Sequence, residues 1–325
     1  MKKYSRKKSI NLGIGNYLCN NNCIFCVDGE KEKLPLPPAD RIFRLLKQWK
    51  KRTDSILFCG PEPTLNPSLS DFIRKARELG YTEIRLLTNG RMLSYYNFAK
   101  KIVSSGVTEL CVSFHGSRSS IQDAQTRTPG SFQQTYQACR NLSVLRSSHS
   151  FKWFIHYTYN KFNISDLHDF LKMCLVLKGL NGVNVSAIMP KGRALHYFDV
   201  VVPRYTELAE RFISVMKKNR DAVQRKREME NEFNIKITGL PFCIMKGYED
   251  YIGPYNELFL LKDPRDKGMK SFARELEQEQ IKGPNCKKCS YNSRCAGVWD
   301  EYVKRRGWDE FHPVKKQTVQ KRKKR

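Results

Sequence analysis

From Ile10 to about Leu240, short apolar runs alternate with amphipathic segments, and this alternation limits the possible folds more than any other feature. The apolar runs are Ile10–Ile14, Ser55–Cys59, Glu83–Leu87, Glu109–Phe114, Lys152–Thr158, Gly182–Ile188 and Asn234–Thr238. Between them lie Asp40–Lys51, Leu69–Leu79, Tyr95–Ser104, Phe132–Leu145, Ser165–Leu177 and Arg204–Lys218, whose apolar residues recur at helical spacing. Pro37 and Pro38 lead into the first helical segment, and Asp40 suits its first turn. Strand–helix–strand alternation with short links predicts a parallel sheet with crossover helices. About six such units are too few for a closed eight-stranded barrel. The expected fold is therefore α/β, a partial (β/α)6 TIM-like barrel, with functional loops after the C-terminal ends of its strands.

The texture changes after Leu240. Residues 241–261 are rich in aromatics, Gly and Pro, a charged helix is expected around Ser271–Glu279, and cysteines and a lysine-rich end follow. The expected organisation is a basic arm over residues 1–9, the barrel over 10–235, a small cysteine-rich module over 236–312 and a mobile basic tail over 313–325. No run of about 18 apolar residues is present, which argues against a membrane span. The basic start lacks an unbroken apolar stretch and a small-residue cleavage site, so a cytoplasmic protein is expected. With 59 Lys and Arg against 32 Asp and Glu, the net charge is +27. That surplus suits an anionic partner such as nucleic acid or an acidic peptide, or solvated basic tails.

Eleven cysteines, an odd number in a chain without a secretion signal, argue against a disulfide framework. Cys59, Cys111, Cys139 and Cys174 lie in apolar or helical contexts and read as buried small hydrophobes. The other seven form two groups. Cys19, Cys23 and Cys26 are spaced C-x3-C-x2-C on the loop after the first strand. Three thiolates leave one iron of a four-iron cubane without a protein ligand, free to bind a small molecule. Cys286, Cys289 and Cys295 are spaced C-x2-C-x5-C, and Cys243 lies 43 positions before the first of them. Four thiolates would close a metal site, and zinc is an alternative to iron–sulfur there. Without Cys243, an open iron would remain.

The CNNNCIFC loop, the stretch Phe58-Cys59-Gly60-Pro61-Glu62-Pro63-Thr64-Leu65, the Thr88-Asn89-Gly90 turn and Val112-Ser113-Phe114-His115-Gly116 together resemble the radical S-adenosylmethionine (radical SAM) superfamily, in order and spacing, over roughly residues 10–240. The resemblance implies that Cys19, Cys23 and Cys26 hold a [4Fe–4S] cluster whose open iron is chelated by S-adenosylmethionine. One-electron reduction would then break a carbon–sulfur bond and release a 5′-deoxyadenosyl radical that takes hydrogen from substrate. The cofactors supply that chemistry and the protein supplies placement. By the same resemblance Phe25 packs by the adenine, Asn89 and Ser113 contact ribose or carboxylate, and Met189 contacts adenine through its backbone. Arg193 would pair with the cofactor carboxylate. Gly60-Pro61-Glu62 stands where relatives have Gly-Gly-Glu and receive the methionine ammonium. An ammonium needs only acceptors, and both the proline carbonyl and the Glu62 carboxylate remain. His115 lies on the same loop, but hydrogen abstraction does not require an acid or base there.

The second cysteine group resembles the auxiliary-cluster modules called SPASM and twitch, and implies a second [4Fe–4S] cluster on Cys243, Cys286, Cys289 and Cys295. The larger SPASM pattern needs further cysteines where this chain has Leu258 and Trp299, so the smaller twitch type fits. Relatives with such modules often modify ribosomally made peptides, so a peptide or protein substrate is expected first. Action on RNA or a nucleotide is the alternative, and a non-catalytic iron–sulfur or zinc protein that binds nucleic acid is the non-enzymatic one. The implied partners are an electron donor such as flavodoxin or ferredoxin and the peptide, with no membrane.

Overall fold

The computed structural model of the chain describes residues 8–15, 18–29, 35–230, 232–253, 258–262, 270–271 and 279–315. Seven strands run parallel: β1 (Lys8–Gly13), β2 (Ser55–Cys59), β3 (Glu83–Thr88), β4 (Glu109–Ser113), β5 (Lys152–Tyr159), β6 (Gly182–Ala187) and β7 (Asn234–Thr238). Each expected strand is present within a residue or two. Two more strands, β8 (Leu258–Lys262) and β9 (Lys270–Ser271), extend the sheet beyond β1 in the order β7-β6-β5-β4-β3-β2-β1-β8-β9. β7 and β9 are its two ends, so the sheet does not close on itself and the architecture is an open, partial barrel.

The sheet does not stop at residue 235. β7 runs to Thr238, β8 pairs in parallel with β1, and β9 pairs with β8. On the opposite edge, Ile252 bridges Ile237 and the Gly253 amide donates to the Ile237 carbonyl at 2.8 Å. Gly253 at β7 and Leu258 in β8, five positions apart in sequence, thus stand on opposite sides of the sheet order. The charged helix expected around Ser271–Glu279 lies almost wholly outside the described residues, and Ser271 itself ends β9. The terminal arm up to residue 7 and the tail from residue 316 lie outside them too.

Helices α1 (Ala39–Lys50), α2 (Leu69–Glu78), α3 (Tyr96–Ser104), α4 (Ser119–Thr126), α5 (Ser131–Leu145) and α6 (Leu167–Leu175) cover the outer wall, followed by Tyr205–Lys218 and Arg220–Glu230. α4 and Arg220–Glu230 were not legible as periodic segments. α4 buries polar Gln122, Gln125 and Thr126, and Arg220–Glu230 buries only Val223 and Lys226. Among the described residues no helix is long and apolar enough to cross a membrane.

The pleat gives the sheet two unlike faces. Toward the helices point Trp153, Ile155, Tyr157, Val183, Val185, Ile235 and Ile237, all almost fully buried. Toward the hollow point half-buried residues, among them Ser113, His156, Thr158, Asn184, Ser186, Lys236 and Thr238. Cys139 and Cys174 lie on the buried faces of α5 and α6 and Cys59 at the end of β2, all buried, whereas Cys111 is half-buried on the hollow side of β4. The outer layer is the hydrophobic core, and the concave face of β4–β7 is half-buried and largely polar. Ile155→Ala should lower the unfolding free energy by about 2–5 kcal/mol, whereas Asn184→Ala on the concave face should change it by less than about 1 kcal/mol. Urea unfolding of the two variants beside the parent chain compares the faces directly.

Candidate active site

The motif-bearing turns gather at the C-terminal ends of β1–β6. The cysteine loop leaves β1 through Gly13 and Gly15, which pass close to the Gly60-Pro61-Glu62 turn after β2. A Cβ at Gly15 would stand 3.0 Å from the Glu62 amide nitrogen. Gly60 has φ +108°, a conformation that a side chain would disfavour, so glycine is needed there. Asn66 Nδ2 donates to the Ile14 carbonyl at 3.0 Å and fixes the strand exit.

Glu62 is fully buried. Its carboxylate accepts from the Thr64 amide (3.0 Å), the Thr64 and Thr88 hydroxyls, and the Asn89 amide (2.7 Å). Burial pushes its pKa above the usual carboxylate value, while the four donors pull it down. The sequence suggested a carboxylate open to an incoming ammonium. Here it ties the β2 turn to the end of β3, with three donors on Oε1 and one on Oε2. Oε2 keeps acceptor capacity, beside the Gly60 and Pro61 carbonyls.

Asn89 is likewise turned onto the cysteine loop. Its Nδ2 donates to Asn20 Oδ1 at 2.7 Å and lies 3.7 Å from Cys19 Sγ, and its Oδ1 accepts from the Arg91 amide at 3.0 Å. Arg193 follows β6 and bends back to the same loop. Its amide donates to the Cys26 carbonyl at 3.0 Å, Nη1 to Asn22 Oδ1 at 2.6 Å and the Cys23 carbonyl at 3.2 Å, and Nη2 to the Gly29 carbonyl at 2.6 Å. Three residues read from sequence as cofactor contacts therefore brace the cysteine loop or its neighbouring turn.

The remaining sites stand nearer the open hollow. Phe25 sets its ring edge against His115, centroids 5.0 Å apart at 89°. Ser113 ends β4 half-buried on the concave face, and Met189 is half-buried after β6. His115 Nδ1 accepts from the Thr158 amide at 3.0 Å, which leaves the ring proton on Nε2. Burial, with His156 adding, lowers the His115 pKa to about 3, and partial burial lowers that of His156 too, so both rings are neutral.

Cys19, Cys23 and Cys26 are close neighbours. Burial pushes the Cys19 thiol up to about 11, with Glu62 and Cys26 adding to it; burial raises Cys23 still further, with Cys19 and Cys26 adding. Such thiols ionise when a metal takes the proton's place. Among the described residues, no three His, Cys, Asp or Glu side chains converge as the ligands of a single ion do. A [4Fe–4S] cube is wider than an ion, and three adjacent thiols on one braced loop fit it.

The second group comes together across the C-terminal region. Cys243, Cys286, Cys289 and Cys295 all line one cavity, with Phe242, Tyr291, Trp308 and His312. Burial, then Cys295, Cys289 and Cys286, push Cys243 up to about 12. The Val314 amide donates to Cys289 Sγ at 3.4 Å. Phe242 and Tyr291 stack at 4.8 Å beside the cavity, with the Arg294 guanidinium over both rings. Between the two cysteine groups lies the loop after β6, where Lys191 pairs with Glu279 and lies over Trp299.

A model of the radical SAM superfamily matches residues 15–174, the span that contains the cysteine loop and the β2, β3 and β4 turns. The chain carries a radical SAM domain. Proteins of this superfamily are enzymes that carry a [4Fe–4S] cluster and S-adenosylmethionine, and the residues at the first loop fit those groups. Among curated proteins the chain is similar to the 7,8-dihydro-6-hydroxymethylpterin dimethyltransferase of Methanocaldococcus jannaschii, 32% identical over 103 residues, 30% of this chain and 20% of that protein. It is similar also to the probable GTP 3′,8-cyclase of Saccharolobus solfataricus, 31% identical over 101 residues, 30% of this chain and 32% of that protein. The matched region thus spans only about a fifth to a third of those relatives' length. Among solved structures the fold resembles Streptococcus suis SuiB bound to S-adenosylmethionine, with a TM-score of 0.66 at 13% identity over 95% of this chain and 77% of that one. SuiB bound to its precursor peptide SuiA scores 0.62 at 13% identity, over 95% and 75% of the two chains. The native anSMEcpe complex with AdoMet and the Kp18Cys peptide scores 0.62 at 12% identity, over 94% and 93%.

The bracing role of Glu62 is testable without cofactors. Glu62→Ala leaves four buried donors without their acceptor and should cost at least about 3 kcal/mol. Chemical denaturation of the metal-free chain measures it, and a midpoint like that of the parent would contradict the assigned bonds.

Proposed function

We propose that this radical SAM enzyme takes hydrogen from a peptide or protein substrate. The concave wall of β4–β7 carries this reading. Ser113, His156, Asn184 and Lys236 stand in register across four neighbouring strands, and Thr158, Ser186 and Thr238 form the next row toward the mouth. These rows are half-buried and rich in groups that both donate and accept. Their cation, Lys236, donates to the Asp250 carbonyl at 2.7 Å. A wall of neutral donors and acceptors suits peptide amides, whereas a triphosphate calls for unengaged cations. The peptide complexes of SuiB and anSMEcpe, which share this fold, support the same reading.

When bound, the first cluster and S-adenosylmethionine supply the one-electron cleavage that allows hydrogen abstraction. The chain's own residues have other tasks. Cys19, Cys23 and Cys26 would present three thiolates and leave one coordination position open, the Gly60 and Pro61 carbonyls and Glu62 Oε2 would offer acceptors to an ammonium, and Phe25 packs edge-on against the neutral His115 without supplying charge. For the second group we propose a [4Fe–4S] cluster of the twitch type on Cys243, Cys286, Cys289 and Cys295. Their shared cavity supports four-thiolate ligation. A saturated cluster serves electron transfer or structure rather than binding substrate. The electron would come from an acidic donor such as flavodoxin or ferredoxin, in a reducing cytoplasm that keeps the thiols free.

A nucleotide substrate is the second reading, favoured by the net charge of +27 and by the similarity to GTP 3′,8-cyclases. Anaerobic reconstitution with iron counting, followed by a 5′-deoxyadenosine assay in the presence of an amidated random-peptide pool or of GTP, separates the two. Stimulation and modification of peptide are expected; stimulation by GTP alone would overturn the peptide reading. Cys23→Ala should abolish 5′-deoxyadenosine formation, and Cys289→Ala should retain it while losing substrate turnover. With a peptide substrate in hand, His156→Ala and Asn184→Ala should each raise KM about tenfold, roughly 1.4 kcal/mol of lost binding, and leave substrate-free cleavage as in the parent.

A further inference from the structure

Three guanidiniums reach the cysteine loop from three separate parts of the chain. Arg91, after β3, donates Nη1 to the Asn20 carbonyl and to Asn21 Oδ1 at 3.2 Å, while its Nε holds Gln134 Oε1 at 2.5 Å. Arg127, just past α4, donates Nε to the Asn22 carbonyl at 2.8 Å. Arg193, after β6, takes the Cys23 and Gly29 carbonyls and Asn22 Oδ1. We propose that Arg91, Arg127 and Arg193 are positioning residues that form a cationic collar, holding the loop in its cluster-binding shape before metal arrives and favouring the reduced state of the cluster bound there. The second half of this inference rests on the reading that the first loop carries a [4Fe–4S] cluster.

Two features show that the collar is built at a cost. Arg127 has φ +49°, the one non-glycine residue at positive φ among the described residues. An L-residue there is disfavoured by roughly 1–2 kcal/mol, and strain of this kind collects at functional sites. Gly192, next to Arg193, runs so close to the loop that a Cβ would stand 2.3 Å from the Val27 carbonyl oxygen. Only glycine permits that approach, and it brings the Arg193 amide to the Cys26 carbonyl. The loop's own amides are held from the other side, where the Asn22 and Ile24 amides donate to the Thr126 and Gln125 carbonyls at 2.9 Å each.

Charge gives the collar its second effect. Three thiolates and the sulfides outweigh the irons, so a three-cysteine cluster is anionic and becomes more so on gaining an electron. Guanidinium stays protonated at every accessible pH. Fixed positive charges beside the loop would therefore stabilise the reduced form of a cluster held there over the oxidised one, more strongly than in water. Arginine also supplies the planar fork that lets one side chain hold two carbonyls, which lysine lacks.

The test uses the full chain, metal-free and anaerobically reconstituted, with Arg193→Gln, Arg193→Lys and Arg91→Gln. Hydrogen exchange of residues 19–29 in the metal-free chain reads the holding role. The midpoint potential of the first cluster, followed by electron paramagnetic resonance through the signal that S-adenosylmethionine alters, reads the charge role. Both Gln variants should lower the potential and speed loop exchange about tenfold. Arg193→Lys should keep the potential and still speed exchange, since it retains the charge and loses the fork. Failure of Arg193→Gln to take up iron at the first loop, while Arg193→Lys does so, would support the collar as well. Parental potential and exchange in the Gln variants would overturn it. A raised Kd for S-adenosylmethionine in Arg193→Gln, with potential and exchange unchanged, would also overturn it and return Arg193 to a cofactor contact. If the parent chain gives no signal that S-adenosylmethionine alters, the cluster reading fails, and exchange in the metal-free chain still decides whether the collar holds the loop.

Discussion

The site depends on how an irregular loop disposes of its backbone polar groups. Residues 18–29 form neither helix nor strand, so the loop cannot pair its amides and carbonyls through a ladder of its own. Its amides find the last carbonyls of α4, its carbonyls find three arginines, and Asn89 ties Asn20 to the end of β3. Because these partners come from β3, α4 and β6, the loop can take this shape only when most of the barrel is assembled. The thiols are thus positioned by the tertiary fold rather than by their own short spacing.

The same division of labour runs through the sheet. Apolar residues on the helix side supply the driving force for folding, which frees the concave side from any structural duty. Serine, threonine, asparagine and histidine can stand there half-exposed because water meets their needs until a substrate displaces it. Glu62 is the exception on the site side. It is a carboxylate wholly enclosed, and four donors compensate its removal from water.

Much of this was legible in the sequence. The strands announced themselves because a two-sided pleat with one dry face writes an alternating pattern, and β5 and β6 follow it residue by residue. The cysteine spacings and the turns at Gly60, Asn89 and Ser113 pointed to the superfamily that the family match bears out. What the sequence did not disclose was direction. Glu62, Asn89 and Arg193 could be placed at the site, but their bonds to the protein could not be read, since several of the partners lie 26 to 171 positions away. Arg91 and Arg127 escaped notice for a compositional reason. In a chain with 59 basic residues, one more arginine carries no signal. A helix end closed by Arg127 where glycine is usual was the available clue. The second cysteine group was easier, although only the fold brings Cys243 to the cavity of the other three.

The passage from Gly253 to Leu258 has a mechanical meaning. One of these residues is bonded at the β7 rim and the other sits in the strand beside β1, and five peptide steps can span at most about 18 Å. The two rims of the open barrel are therefore tethered by a short covalent ligature. At these two points the rims can never part by more than that reach, whatever enters the hollow between them.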